Sequence, residues 1–91
     1  MNIIYTNHAK ANMIEYGVSE VDVENTLGNP EMLFLDLKTG RLVAVKKWIG
    51  NKHLVVVFEK NDPLTIVTVF PTSKLNKVVR RRIENNRWLE L

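Results

Sequence analysis

Ninety-one residues and 10.5 kDa leave room for one domain and no second catalytic unit. With 45% hydrophobic and 25% charged residues the composition is that of a folded globular chain, and the absence of cysteine excludes disulfides, a thiolate zinc site and a Cys nucleophile. The net charge of +3 is uneven: up to Val45 three basic residues face six acidic ones, and from Lys46 onward ten basic residues face four acidic ones. Clustered Lys and Arg are the signature of a polyanion-binding side, although a solvated surface has the same composition. The longest apolar run, Leu54 to Phe58, is far below the ~20 residues of a membrane helix, and no secretory signal opens the chain, so cytoplasm is the expected compartment.

In chain order, Asn2 to Thr6 suits a short strand, with Thr6 as the N-cap of a first helix over Asn7 to Tyr16. Ala9, Met13 and Tyr16 form its apolar side, and His8, Asn12 and Glu15 its polar side. A second helix starts at Ser19 with Asp22 in a capping box and Val18 stapled to Val23. It is expected to stop at Gly28, in a left-handed conformation before Asn29-Pro30. Four strands follow, over 31–37, 41–49, 52–60 and 64–70, joined by hairpin-length turns into an antiparallel meander. Thr72 or Ser73 then caps a third helix with an apolar stripe of Leu75, Val78, Val79 and Ile83, ending near Asn85-Asn86. The expected fold class is α+β in the order β-α-α-β-β-β-β-α: one domain over 1–91, an antiparallel sheet with its helices on one face and the other face free to work.

Phosphate loops, dinucleotide fingerprints, zinc-ligand spacings and nucleophile elbows are all missing from the sequence, and neither a metal nor a cofactor is expected. Basic and hydroxyl groups remain. His8, in the first turn of helix one, is either a proton-transfer group or a plain hydrogen-bonding residue at a helix start. Lys46 and Lys47 are adjacent in a strand and must point to opposite faces, one of them to the open side. Lys74, Lys77, Arg80 and Arg81, with Arg82, make a dense cationic helix surface for phosphates, within which Arg80 has Glu84 four residues on as an ion-pair partner. Trp48 and Trp88 read as packing residues rather than base-stacking platforms.

His8-Ala9 with Met13 and Gly17-Val18-Ser19, then Asn29-Pro30, Thr39-Gly40-Arg41, the strand VAVKK and Thr68-Val69-Phe70-Pro71 together resemble a widespread uncharacterised domain family. That family reads His-Ala-x-x-Arg-Met, Arg-Gly-Ile and Asn-Pro. It is grouped with the RelE/ParE-like toxins in the barnase, EndoU, colicin and RelE superfamily of metal-independent ribonucleases. The resemblance implies a RelE/ParE-like fold, RNA as the partner and an endoribonuclease reaction in which the 2′-hydroxyl attacks the adjacent phosphate to give a 2′,3′-cyclic phosphate. His8 would be the proton-transfer group, with Lys46 or Lys47 at a matching basic position and Thr68 at a matching hydroxyl position of the site. Lys46 or Lys47 with Arg41 would clamp the phosphate, and an antitoxin protein would hold the activity in check. Where the family has arginine, this chain has Asn12 and Tyr16, which opens a second reading: a catalytically degenerate domain that binds nucleic acid or protein. A third is an interaction module forming a homodimer or a toxin-antitoxin pair through a sheet edge.

Overall fold

Local signals start the first two helices where the sequence places them. In the computed structural model, which describes residues 2–91, the Thr6 hydroxyl accepts the Ala9 N–H at the start of α1 (Asn7–Tyr16). Ser19 and Asp22 exchange both bonds of a capping box at the start of α2 (Glu20–Gly28), and Val18 and Val23 are buried in one cluster beneath it. The left-handed residue that ends a helix is Gly17, at φ 69°, rather than Gly28, which is the last residue of α2; Asn29 follows at φ −152°.

Around these helices the chain builds β1 (Ile3–Tyr5), β2 (Met32–Asp36), β3 (Leu42–Lys47), β4 (His53–Glu59), β5 (Leu64–Thr72), α3 (Leu75–Glu84) and β6 (Trp88–Glu90). The strands form one six-stranded sheet ordered β1-β5-β4-β3-β2-β6. Its centre is the expected antiparallel meander. The ends correct the expectation twice: β1 pairs parallel with β5, making the sheet mixed, and β6, a strand beyond the expected order, pairs with β2.

The helices also lie on both faces, not one. Alternation sends Ala44, Leu54, Val56 and Val69 against Ala9, Met13 and Val23 of α1 and α2. The intervening residues, Val43, Val45 and Val55, join Phe34 and Trp88 beneath Leu75, Val78 and Val79 of α3. Ile83, the fourth residue of the predicted stripe, stays exposed. Both tryptophans pack: Trp88 is buried 5.0 Å from the Phe34 ring, and Trp48 lies partly buried against the α1/α2 core. No side chain caps α3; its N-cap is Lys74, whose N–H is taken by the Thr72 hydroxyl.

The short β1 positions the rest. It ends at Tyr5, opposite Ile66, so the remainder of β5 has no strand on its outer side and α1 runs beside it instead. This is also where a sheet tolerates Pro71, whose missing N–H leaves no outer ladder bond unmade. Among the described residues, no helix is long and apolar enough to cross a membrane.

Candidate nucleic-acid interface

Residues 8, 12 and 16 recur at four-residue spacing and therefore lie along one line of α1. Because α1 borders β5, this line follows the strand's outer edge. Asn12 sits at its centre: Nδ2 donates to the Thr68 hydroxyl at 3.0 Å and lies 3.4 Å from Nε2 of His8. The contact to His8 is long and exposed, so the ring stays open to solvent. His8 is exposed, whereas Asn12 and Thr68 are half-buried. Thr68 pairs with Val57 and so belongs to the α3 face of the sheet.

Further along the same line Tyr16, which was expected on the apolar side of α1, is exposed instead. It borders an open groove of about 580 Å³ lined also by Thr72, Lys52, Lys77 and Arg81. The polar edge of α1 thus leads from His8 past Thr68 to the cations of α3. Lys74, Lys77, Arg80 and Arg81 form no ion pair among the described residues, and the expected Arg80–Glu84 bridge is not made. Arg82 differs, its guanidinium lying 5.7 Å from the centre of the Trp88 ring.

The strand cations are placed otherwise. Lys46 pairs with Leu54 and belongs to the α1/α2 face, in a cleft beside Asp22, Asn25 and Thr26 of α2. It is therefore on the opposite face from Thr68, and the structure does not bring it to His8. Lys47 points to the α3 side in register with His53, and its backbone N–H donates to the Glu31 carboxylate. Arg41 bridges to Glu59 at 3.3 Å, so its charge is already compensated. Of the residues singled out in sequence, His8 and Thr68 come together, Lys74, Lys77, Arg80 and Arg81 share one helix, and Lys46 stands apart. Asn12 and Tyr16, seen in the sequence as substituted arginines, are the two residues joining the first group to the second. Their common spacing with His8 was the available signal.

Two further groups are shifted by burial but lie outside this interface. The Tyr5 hydroxyl, buried without a partner, is pushed up to about 12 by burial first and then by the charges of Glu20 and Glu24. Burial also drives the Asp36 carboxyl up, but hydrogen bonds from Arg87 and the Lys38 and Thr39 backbone outweigh it and hold the group below its ordinary value. Among the described residues, no three of His, Cys, Asp and Glu converge where a metal ion could sit.

No curated protein and no solved structure matches the chain. One sequence family does, over residues 5–71, a segment that holds His8, Asn12 and Thr68 and ends before α3. That match spans most of the 91 residues, and the chain belongs to the family described as domain of unknown function DUF4258.

Proposed function

We propose that this protein is a RelE/ParE-like, toxin-related RNA-binding domain and a candidate metal-independent endoribonuclease. The observation that carries this reading is the His8–Asn12–Thr68 chain, whose exposed imidazole stands on the same line of α1 as Tyr16, the residue that borders a groove lined by cations in no ion pair among the described residues. The cations of α3 hold the RNA backbone, which needs clustered positive charge rather than sequence readout. His8 takes the proton of a 2′-hydroxyl. The 2′-oxygen bonds to phosphorus, the bond from phosphorus to the 5′-oxygen breaks, that oxygen leaves with a proton from water, and the hydroxide so formed takes up the proton held by His8. The products are a 2′,3′-cyclic phosphate and a 5′-hydroxyl. The Thr68 hydroxyl accepts from Asn12 and so keeps its own proton to donate to a phosphate oxygen.

The position of Lys46 favours a second reading. No basic side chain hydrogen-bonds to His8, Asn12 or Thr68 among the described residues, and Lys46 is on the other face of the sheet. A domain with this arrangement binds RNA without cleaving it. Protein partners, an antitoxin or a second copy, belong to both readings; β6 at the sheet edge supports them, since its outer side pairs with no strand.

The test is incubation with mixed RNA and with translating ribosomes, without added metal, alongside His8→Ala. Fragments ending in 2′,3′-cyclic phosphate that disappear in the variant support the nuclease. Cleavage undiminished in the variant removes His8 from the mechanism. Salt-sensitive RNA binding with no fragments establishes the second reading, and no binding at low salt overturns both.

A further inference from the structure

The α3 side of the sheet has a second concavity, beyond the first turn of α3 from the Tyr16 groove. At its floor is His53, which stands in one cross-strand row with Lys47 of β3 and Thr72 of β5; of the three, His53 lines the space. Side chains so paired stand about 5 Å apart at Cβ. Over this row α3 and the β3–β4 turn enclose about 480 Å³, with Lys74, Lys77, Arg80, Asn51 and Asn76 around His53. Among the described residues, no carboxylate lines the space and none of these cations is in an ion pair. Glu31 accepts the Lys47 backbone N–H from the β2 side, away from His53.

Three cations around a half-buried histidine repel one another, and a fold gains nothing from crowding them with their counter-charges absent. The remaining lining is chemically apt for one ligand class. The Asn51 and Asn76 amides and the Ser73 hydroxyl donate hydrogen bonds, Lys and Arg supply charge-assisted ones, and a phosphoryl group is the anion that accepts several such bonds at once. Ser73, Lys74 and Lys77 line both this concavity and the Tyr16 groove, so an RNA strand crossing the tip of α3 reaches both.

We infer that the concavity around His53 is a phosphoryl-binding subsite for RNA, separate from the His8 site and closed by Arg80. This rests on the RNA-binding reading and adds to it a second point of attachment. The phosphoryl group is either an internal diester of the strand or a terminal monoester, and the two sources are distinguishable.

The test follows the His53 ring signals by NMR while the full chain is titrated with 2′-O-methylated octa-uridylate, which has no 2′-hydroxyl to attack with. The oligonucleotide is supplied with no terminal phosphate, with a 5′-phosphate or with a 3′-phosphate, and inorganic phosphate serves as a fourth probe. Movement of His53 with all three oligonucleotides assigns the subsite to an internal diester, and movement only with a phosphorylated end assigns it to a monoester. In either case Arg80→Gln weakens binding about tenfold and lowers the salt slope by about one phosphate contact. If RNA binds in a salt-dependent way while His53 is still and Arg80→Gln binds normally, the subsite is wrong and the RNA-binding reading stands. If no RNA binds, that reading and the subsite for RNA fall together, and a saturable His53 shift with inorganic phosphate then shows an anion site of another kind.

Discussion

Arg87 and Arg81 are six residues apart and their charges are managed in opposite ways. Arg87 reaches Asp36 at 3.0 Å, and Asp36 also accepts the backbone N–H groups of Lys38 and Thr39, so one buried carboxylate closes the β2–β3 turn and fastens the segment before β6. Arg81 faces a groove with Lys77 and Lys52 and, among the described residues, has no carboxylate within bridging distance. Formal charge is the same at both places, but at the turn it is consumed within the fold and along α3 it is left for something outside. Pairing, more than charge count, divides the structural cations of this chain from those available to a ligand.

The largest expected effect breaks the paired side. Asp36→Ala leaves Arg87 and two backbone donors without their acceptor beside a carboxylate site that is 6% exposed. The expected loss is about 2 kcal/mol, read as a fall in melting temperature on the order of 10 °C. A melting temperature within 2 °C of the parent would show that the turn does not depend on this network.

The same carboxylate gives a pH dependence of definite sign. Its folded pKa lies below the ordinary value of an aspartate, so the network's contribution is present above that ordinary value and is lost as pH falls through the folded one. The stability difference between the parent and Asp36→Asn is expected to be flat above about pH 5 and to shrink below it. Denaturant titrations across that range check this, and a difference that grows on acidification would reverse the assignment.

On the unpaired side the expectation inverts. Arg81→Gln and Lys77→Gln, at exposed positions without partners, should change stability by less than about 0.5 kcal/mol. Each should lower the salt dependence of RNA binding by about one counterion. Fluorescence anisotropy at several salt concentrations measures this, and an unchanged slope in both variants would take α3 out of the interface.

What was legible in the sequence follows the range of the interactions involved. The capping box at Ser19 and Asp22 needs only residues three apart, and it stands where it was read. The meander was legible because its turns are short and its strands rich in Val. β6 is three residues long and carries no usable alternation, so only its pairing with β2 defines it. The side taken by α3 was not legible either: its stripe of Leu75, Val78 and Val79 fits any apolar surface, and Phe34 and Trp88 supply that surface from distant parts of the chain. The site divides in the same way. His8 and Asn12 share a helix line that four-residue spacing reveals, while Thr68 joins them through a contact spanning 56 positions. Lys46 and Lys47 could be assigned to opposite faces from the strand alone, but which face each took depended on the register with Leu54 and His53.

The smallest effect falls on the pair between the two extremes. Arg41 and Glu59 meet at 3.3 Å with side chains 38% and 40% exposed, and a pair so hydrated contributes well under about 1 kcal/mol. Glu59→Gln should therefore leave the melting temperature almost unchanged. It removes the counter-charge from an arginine whose partner, Glu59, is two residues beyond Val57 in β4, the strand partner of Thr68. If pairing is what withholds a cation from RNA, the variant gains affinity by a few-fold at low salt, and Arg41→Gln added to it abolishes the gain. A gain that survives loss of Arg41 would come from the change in net charge alone, and then position along the groove, rather than freedom from a partner, would govern which cations of this surface RNA uses.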